Sequence, residues 1–182
     1  TPQVRNADQL DDLREAVRFV HDHARQLKID PARVAVLGES ASGQMVAQLA
    51  TERPAGVAAV VSFYGVYDFL QMTPPTGPRS IAARLFGLSE MTDAARASLA
   101  SLSPIFNVQA GMPPVLLIQG TADRLHAQAV AFADRLKAVG ATYTTYDVPG
   151  APHGVENWEG HPDWLAYKTT LVAWLRNALA QK

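Results

Sequence analysis

The sequence predicts an α/β fold, a mostly parallel sheet with helices on both faces. Three observations predict it. Helix-like and strand-like segments alternate along the 182 residues. The strand candidates Val34-Ala35-Val36-Leu37, Val57-Ala58-Ala59-Val60-Val61-Ser62-Phe63-Tyr64 and Val115-Leu116-Leu117-Ile118 are nearly unbroken apolar runs, as expected of strands buried on both faces. Finally, Gly38-Glu39-Ser40-Ala41-Ser42-Gly43 joins the first run directly to a helix-like run at 44–51. Alternation of this kind packs helices onto both faces of a parallel sheet. Sites in such sheets lie at the carboxyl ends of the strands.

Each element has its own signal. Asn6 can cap a helix, with Gln9 three residues on; Leu10, Leu13, Val17, Val20, Ala24 and Leu27 then recur at helical spacing. The helix must stop before Asp30-Pro31, because proline disfavours helical geometry in the residue before it. Met45, Val46 and Leu49 form one face of the helix after the turn. Residues 66–112 are irregular, broken by Pro74-Pro75-Thr76-Gly77-Pro78, with short helices near 81–86 and 94–99. So long a connection between two strands reads as a pocket wall or lid. Residues 127–139 form a helix stopped by Gly140. Tyr143 to Val148 is β-rich and half polar, which suits an edge strand. Trp164, Leu165, Leu171, Val172, Trp174, Leu175 and Leu179 mark a C-terminal amphipathic helix. No repeat divides the chain, so residues 1–182 read as one domain.

Composition excludes several classes. The hydrophobic fraction of 48% and charged fraction of 18% are those of an ordinary soluble globular protein. A net charge of −1 gives no surface for nucleic acid or an anionic membrane. No run is long enough to span a bilayer. The absence of cysteine removes disulfides, thiolate metal sites and a cysteine nucleophile, and leaves the compartment undetermined.

The chemistry concentrates at the strand ends. Ser40 follows the first strand between small residues, in a nucleophile-elbow arrangement in which Ser42 stands at the second glycine position. Asp123 follows the third strand in Gly120-Thr121-Ala122-Asp123. His153 follows the fourth in Pro149-Gly150-Ala151-Pro152-His153-Gly154. Serine, acid and histidine thus come after three strands of one sheet. A serine hydroxyl needs a base to take its proton, and a carboxylate orients that base. Each residue also has a plainer reading: Ser40 as a helix cap, Asp123 as a turn residue. Asp68, after the second strand, is the competing acid, or else the head of an Asx-turn. His126 and His161 read as loop or helix-start residues. His21 and His23 do not share a helix face, which argues against a metal site. Trp158, Trp164 and Trp174 read as packing residues, with Trp158 near enough to His153 to line a pocket.

From about Asp8 onward the chain resembles the later half of an α/β-hydrolase of the carboxylesterase and feruloyl/acetylxylan-esterase-like type. The resemblance rests on the Asp-Pro turn, Gly38-Glu39-Ser40-Ala41, Phe63-Tyr64-Gly65-Val66-Tyr67-Asp68, Ser103-Pro104, residues 113–123 and the glycine-bracketed His153. It implies Ser40 as nucleophile, Asp123 as acid, His153 as base and the Ala41 N–H as one oxyanion donor. It implies a small-molecule ester substrate, no cofactor and no metal. Prolyl-oligopeptidase-type peptidases share the motifs, and a non-catalytic interaction module is the reading from another class. The resemblance also implies a partner. These enzymes place several strands and a glycine-rich loop, which carries the second oxyanion donor, upstream of the elbow, and this chain has none of them. Its elbow strand is therefore expected at an open sheet edge, completed by an N-terminal segment of the same enzyme as a separate or cleaved chain.

Overall fold

The computed structural model describes residues 6–72, 86, 88 and 90–180. The first helix, Asn6–Asp22, is followed by a short helical turn, Ala24–Leu27, which ends at Lys28 in the left-handed region, φ 57°. Asp30 then accepts a hydrogen bond from the Ala32 N–H at 2.9 Å and opens a 3-10 turn, Pro31–Arg33. Proline is well placed there, because a first-turn residue needs no N–H partner.

Four strands follow: β1 (Ala35–Glu39), β2 (Ala59–Phe63), β3 (Val115–Gly120) and β4 (Tyr143–Val148). They pair in chain order, β1-β2-β3-β4, and every pairing is parallel. Every residue of β2 and β3 is buried, and each large apolar side chain so buried contributes about 1.5–3 kcal/mol. Alternation sends these side chains into two cores. Val60, Val115 and Leu117 pack with Leu10 and Val17 of the first helix, Val46 and Leu49 of the elbow helix Ala41–Thr51, and Phe132 and Leu136 of the helix His126–Ala138. On the other face, Val61, Leu116 and Ile118 pack with Trp158 and with Tyr167, Trp174 and Leu175 of the C-terminal helix, Tyr167–Ala180. Among the described residues, no helix is long and apolar enough to cross a membrane.

The sheet departs from expectation at its first strand. The run Val34-Ala35-Val36-Leu37 reads as buried on both faces, yet the strand starts at Ala35 and Leu37 is 52% exposed. Val36 packs against the first core. Leu37 lies on the opposite face beside Val61, and the second core includes Val61 but stops short of Leu37. The position of β1 at the sheet edge accounts for this: among the described residues, no strand pairs with its open side. Other differences are shifts of boundary. The second strand begins at Ala59 rather than Val57, and the helix before Gly140 spans His126–Ala138. The helix expected near 94–99 runs Asp93–Ser101, capped by Thr92, whose hydroxyl accepts the Ala95 N–H at 3.1 Å. Trp164 sits in a 3-10 turn, Pro162–Trp164, ahead of the C-terminal helix. The Asn6 cap's side chain, the break at 74–78 and, Phe86 excepted, the helix expected near 81–86 lie outside the described residues.

Candidate active site

The elbow is a backbone construction before it is a chemical one. Ser40 has φ 53° and ψ −113°, which an L-residue adopts only when its surroundings enforce it. Its N–H donates to the Phe63 carbonyl at 2.9 Å, which keeps the turn tied to β2. Space explains the glycines. A Cβ on Gly38 would stand 2.3 Å from the Ser42 carbonyl oxygen, and one on Gly43 would stand 2.6 Å from the Phe63 carbonyl oxygen. Close helix-to-strand packing therefore demands glycine at 43, and position 42 is free to carry a side chain. Ser42 turns that side chain back onto β1: its Oγ accepts the Glu39 N–H and donates to the Glu39 carbonyl, both at 2.9 Å.

The three sequence-predicted side chains meet at the strand ends. Ser40 Oγ lies 2.9 Å from His153 Nε2, and His153 Nδ1 lies 2.7 Å from Asp123 Oδ2. The Asp123 side chain is fully buried, while that of His153 is 37% exposed. Asp123 is held by two further donors. The Leu125 N–H reaches Oδ1 at 2.9 Å, and Gln119 Nε2 reaches Oδ2 at 2.8 Å.

The acid and histidine loops are stitched together by main-chain N–H groups. The Thr121 N–H donates to Val148 O and the Ala122 N–H to Ala151 O, each at 3.0 Å, and the Gly150 N–H donates to Thr121 Oγ1 at 2.8 Å. A Cβ at Gly120 would stand 2.2 Å from the Ala151 oxygen, so glycine is what lets the loops touch. Trp158 is buried, as a packing residue should be, but its indole Nε1 also donates to Pro152 O at 2.7 Å. Asn157 Nδ2 donates to His153 O at 2.7 Å. His153 thus sits on an anchored loop.

At the start of the elbow helix, the N–H groups of Ala41, Ser42 and Gly43 precede the first intrahelical bond, which runs from Gln44 N to Ser40 O at 3.1 Å. Such first-turn donors, with the positive end of the helix dipole, favour an anion. The expected donor Ala41 is the first of them.

The competing acid takes the plainer role. Asp68 Oδ1 accepts the N–H groups of Leu70 and Gln71 at 2.8 and 3.3 Å, an Asx-turn. The segment around it is pinned by Gln128 Oε1, which accepts the Tyr67 and Asp68 N–H groups, and by Ser103 Oγ, which accepts the Phe69 N–H at 2.9 Å. That is the structural work of the Ser103-Pro104 motif. His126 begins a helix, and His161 stacks on Trp164 at 4.3 Å. His21 and His23 bond to the Gly56 and Phe19 carbonyls. Among the described residues, no group of three or more histidine or acidic side chains could hold a metal ion.

Sequence reasoning missed Tyr64. It ends β2's apolar run and reads there as one more packing residue. Its backbone has φ 37°, and its ring lies 4.7 Å from the His153 ring. The hydroxyl donates to the carboxylate of Glu39, the residue before Ser40, and accepts the Val155 N–H at 2.9 Å. Burial, reinforced by the Glu39 contact, pushes the phenol well above the usual tyrosine range. The buried Tyr67 phenol, pushed up to about 12 by burial, lies against Ser62.

A family described by its alpha/beta hydrolase fold matches residues 1–157. The chain belongs to that family. Among the relatives of this α/β-hydrolase chain is the esterase LipC of Mycobacterium tuberculosis, 30% identical over 166 residues, which covers 82% of the chain and 41% of LipC. The probable carboxylic ester hydrolase LipM of the same organism is 27% identical over 165 residues, covering 82% of the chain and 38% of LipM. The chain therefore spans about two fifths of the length of these two relatives. A truncated carbohydrate esterase from gut microbiota superposes with a TM-score of 0.83 at 22% identity, over 99% of this chain and 71% of that one. That last likeness concerns the fold alone.

Proposed function

We propose that this chain carries the nucleophile, base and acid of a serine hydrolase that cleaves carboxylic esters. The observation that carries the reading is the pair of contacts on His153, 2.9 Å to Ser40 Oγ and 2.7 Å to the buried Asp123 carboxylate. His153 Nε2 takes the Ser40 proton as Oγ attacks the ester carbonyl, and Asp123 holds the imidazole in the tautomer with Nε2 free. The Ala41 N–H faces the developing oxyanion. His153 then protonates the leaving alcohol. A water molecule, deprotonated by His153, splits the acyl-enzyme and returns Ser40. The steps draw on side chains, backbone N–H groups and water alone. The esterase names of LipC and LipM favour esters over peptides as substrates.

The same reading assigns the open edge of β1 to an N-terminal segment of the same enzyme, which supplies early strands and a second oxyanion donor. Exposed Leu37 and the greater length of the relatives support it. Ser40→Ala tests the chemistry: it is expected to lower hydrolysis of p-nitrophenyl acetate at least about a thousandfold and to end labelling by a fluorophosphonate. Labelling that persists in Ser40→Ala removes Ser40 from the mechanism.

A further inference from the structure

Among the described residues, four glutamines are buried: Gln44, Gln48, Gln119 and Gln128. Gln44 and Gln48 donate to the Leu102 and Ser101 carbonyls, and Gln128 accepts two backbone N–H groups, so all three fasten main chain. Gln119 differs. Its Nε2 donates to Asp123 Oδ2 at 2.8 Å, and its Oε1 is buried with no protein partner among the described residues. A carboxylate can only accept, so the amide must turn its NH2 towards Asp123, whatever this leaves for its oxygen. A buried amide oxygen left without a partner is costly, and a charge-assisted bond to a buried carboxylate is about twice as strong as a neutral one. The orientation of Gln119 is thus dictated by Asp123.

The oxygen it binds is also the one that binds His153 Nδ1. Gln119 lies near the end of β3, 1% exposed, so it approaches Asp123 from a rigid element. The Leu125 N–H holds the other carboxylate oxygen. With one oxygen fixed by Leu125 and the other shared between Gln119 and His153, the carboxylate plane is set from both sides.

We propose that Gln119 is a positioning residue of the hydrolase: it fixes the Asp123 carboxylate so that Oδ2 meets His153 Nδ1. It acts through Asp123 and touches no substrate. This rests on the Ser40–His153–Asp123 reading above.

The test compares Gln119→Met, which fills similar volume without the donor, with Gln119→Glu, which is nearly isosteric but sets a second carboxylate beside Asp123. Fluorophosphonate labelling rates are measured for both in the 182-residue chain. The His153 Nδ1 proton is followed by NMR, which needs no activity. Gln119→Met is expected to slow labelling about tenfold and to move the Nδ1 proton resonance, because Oδ2 then serves His153 alone. Gln119→Glu is expected to slow labelling further, because two adjacent carboxylates must share a proton. An unmoved Nδ1 resonance with wild-type labelling in either variant overturns the proposal. Ser40→Ala, run alongside, separates the failures: if it still labels, the triad reading falls; if it is silent while both Gln119 variants match wild type, only the role of Gln119 falls. Should Gln119→Met not fold, the near-isosteric Gln119→Glu and its Nδ1 resonance decide the matter.

Discussion

The two edges of the sheet are made differently. At β4 the exposed side chains are Thr144, Thr145 and Asp147, which water solvates well and which discourage pairing with another chain. At β1 the exposed side chain in mid-strand is Leu37. The backbone tells the same story. Because the Ser40 N–H bonds β2, alternation directs the N–H and C=O groups of Glu39, Leu37 and Ala35 to the open side. Ser42 bonds both groups of Glu39, and this protects the end of the edge next to Ser40. One edge is finished for water. The other is finished only where the candidate chemistry begins, and its remainder suits a further strand.

The strongest way to sharpen that contrast is to supply the proposed partner. Adding the N-terminal segment of the same enzyme, expressed as a separate chain, is expected to raise p-nitrophenyl acetate turnover about a hundredfold to a thousandfold, the worth of one oxyanion donor. Unchanged turnover, with the segment demonstrably bound, breaks the link between the open edge and the chemistry.

Next in size are changes on the paired side of the elbow. Gly43→Val forces a side chain against the Phe63 backbone and is expected to cost about 2–3 kcal/mol in urea unfolding. Tyr64→Phe keeps the ring against His153 and loses the hydroxyl's bonds to Glu39 and Val155. Its expected cost is about 1–2 kcal/mol, with fluorophosphonate labelling slowed roughly tenfold, a 1.4 kcal/mol effect.

The smallest effect on stability is the most telling for the comparison. Leu37→Lys alters a side chain already in water and is expected to change the unfolding free energy by no more than about 0.5 kcal/mol. It should nevertheless abolish the gain from the added segment, because the new strand would cover the lysine. Thr145→Lys at the other edge should leave both stability and gain unchanged. Equal behaviour of the two variants in a titration with the segment breaks the comparison.

Much of this arrangement was legible in the residues. Apolar runs gave β2 and β3, because strands buried on both faces need little else, and the strand-end rule brought Ser40, Asp123 and His153 to one place. Less legible was whatever depends on partners distant in the chain. Leu37 reads as core in a run of four apolar residues; its strand was expected at an open edge, and the sheet order bears that out and leaves the side chain bare. Tyr64 closes an apolar run, and its hydroxyl matters through Glu39 and Val155, which lie 25 and 91 residues away. Gln119 looks like a polar end to β3 until Asp123 folds back over it. Ser42 looks like a flaw in the elbow motif; the space around Gly43 shows why the tight packing falls one position later.

Amide hydrogen exchange along β1 tests the central claim most directly. In the 182-residue chain, the Leu37 N–H, on the open side, is expected to exchange quickly, and those of Val36 and Gly38, bonded towards β2, slowly. Added N-terminal segment should protect Leu37 to the level of its neighbours. A Leu37 amide already protected in the chain alone, or one that stays fast in the presence of the bound segment, contradicts the account of β1 as a strand awaiting its partner.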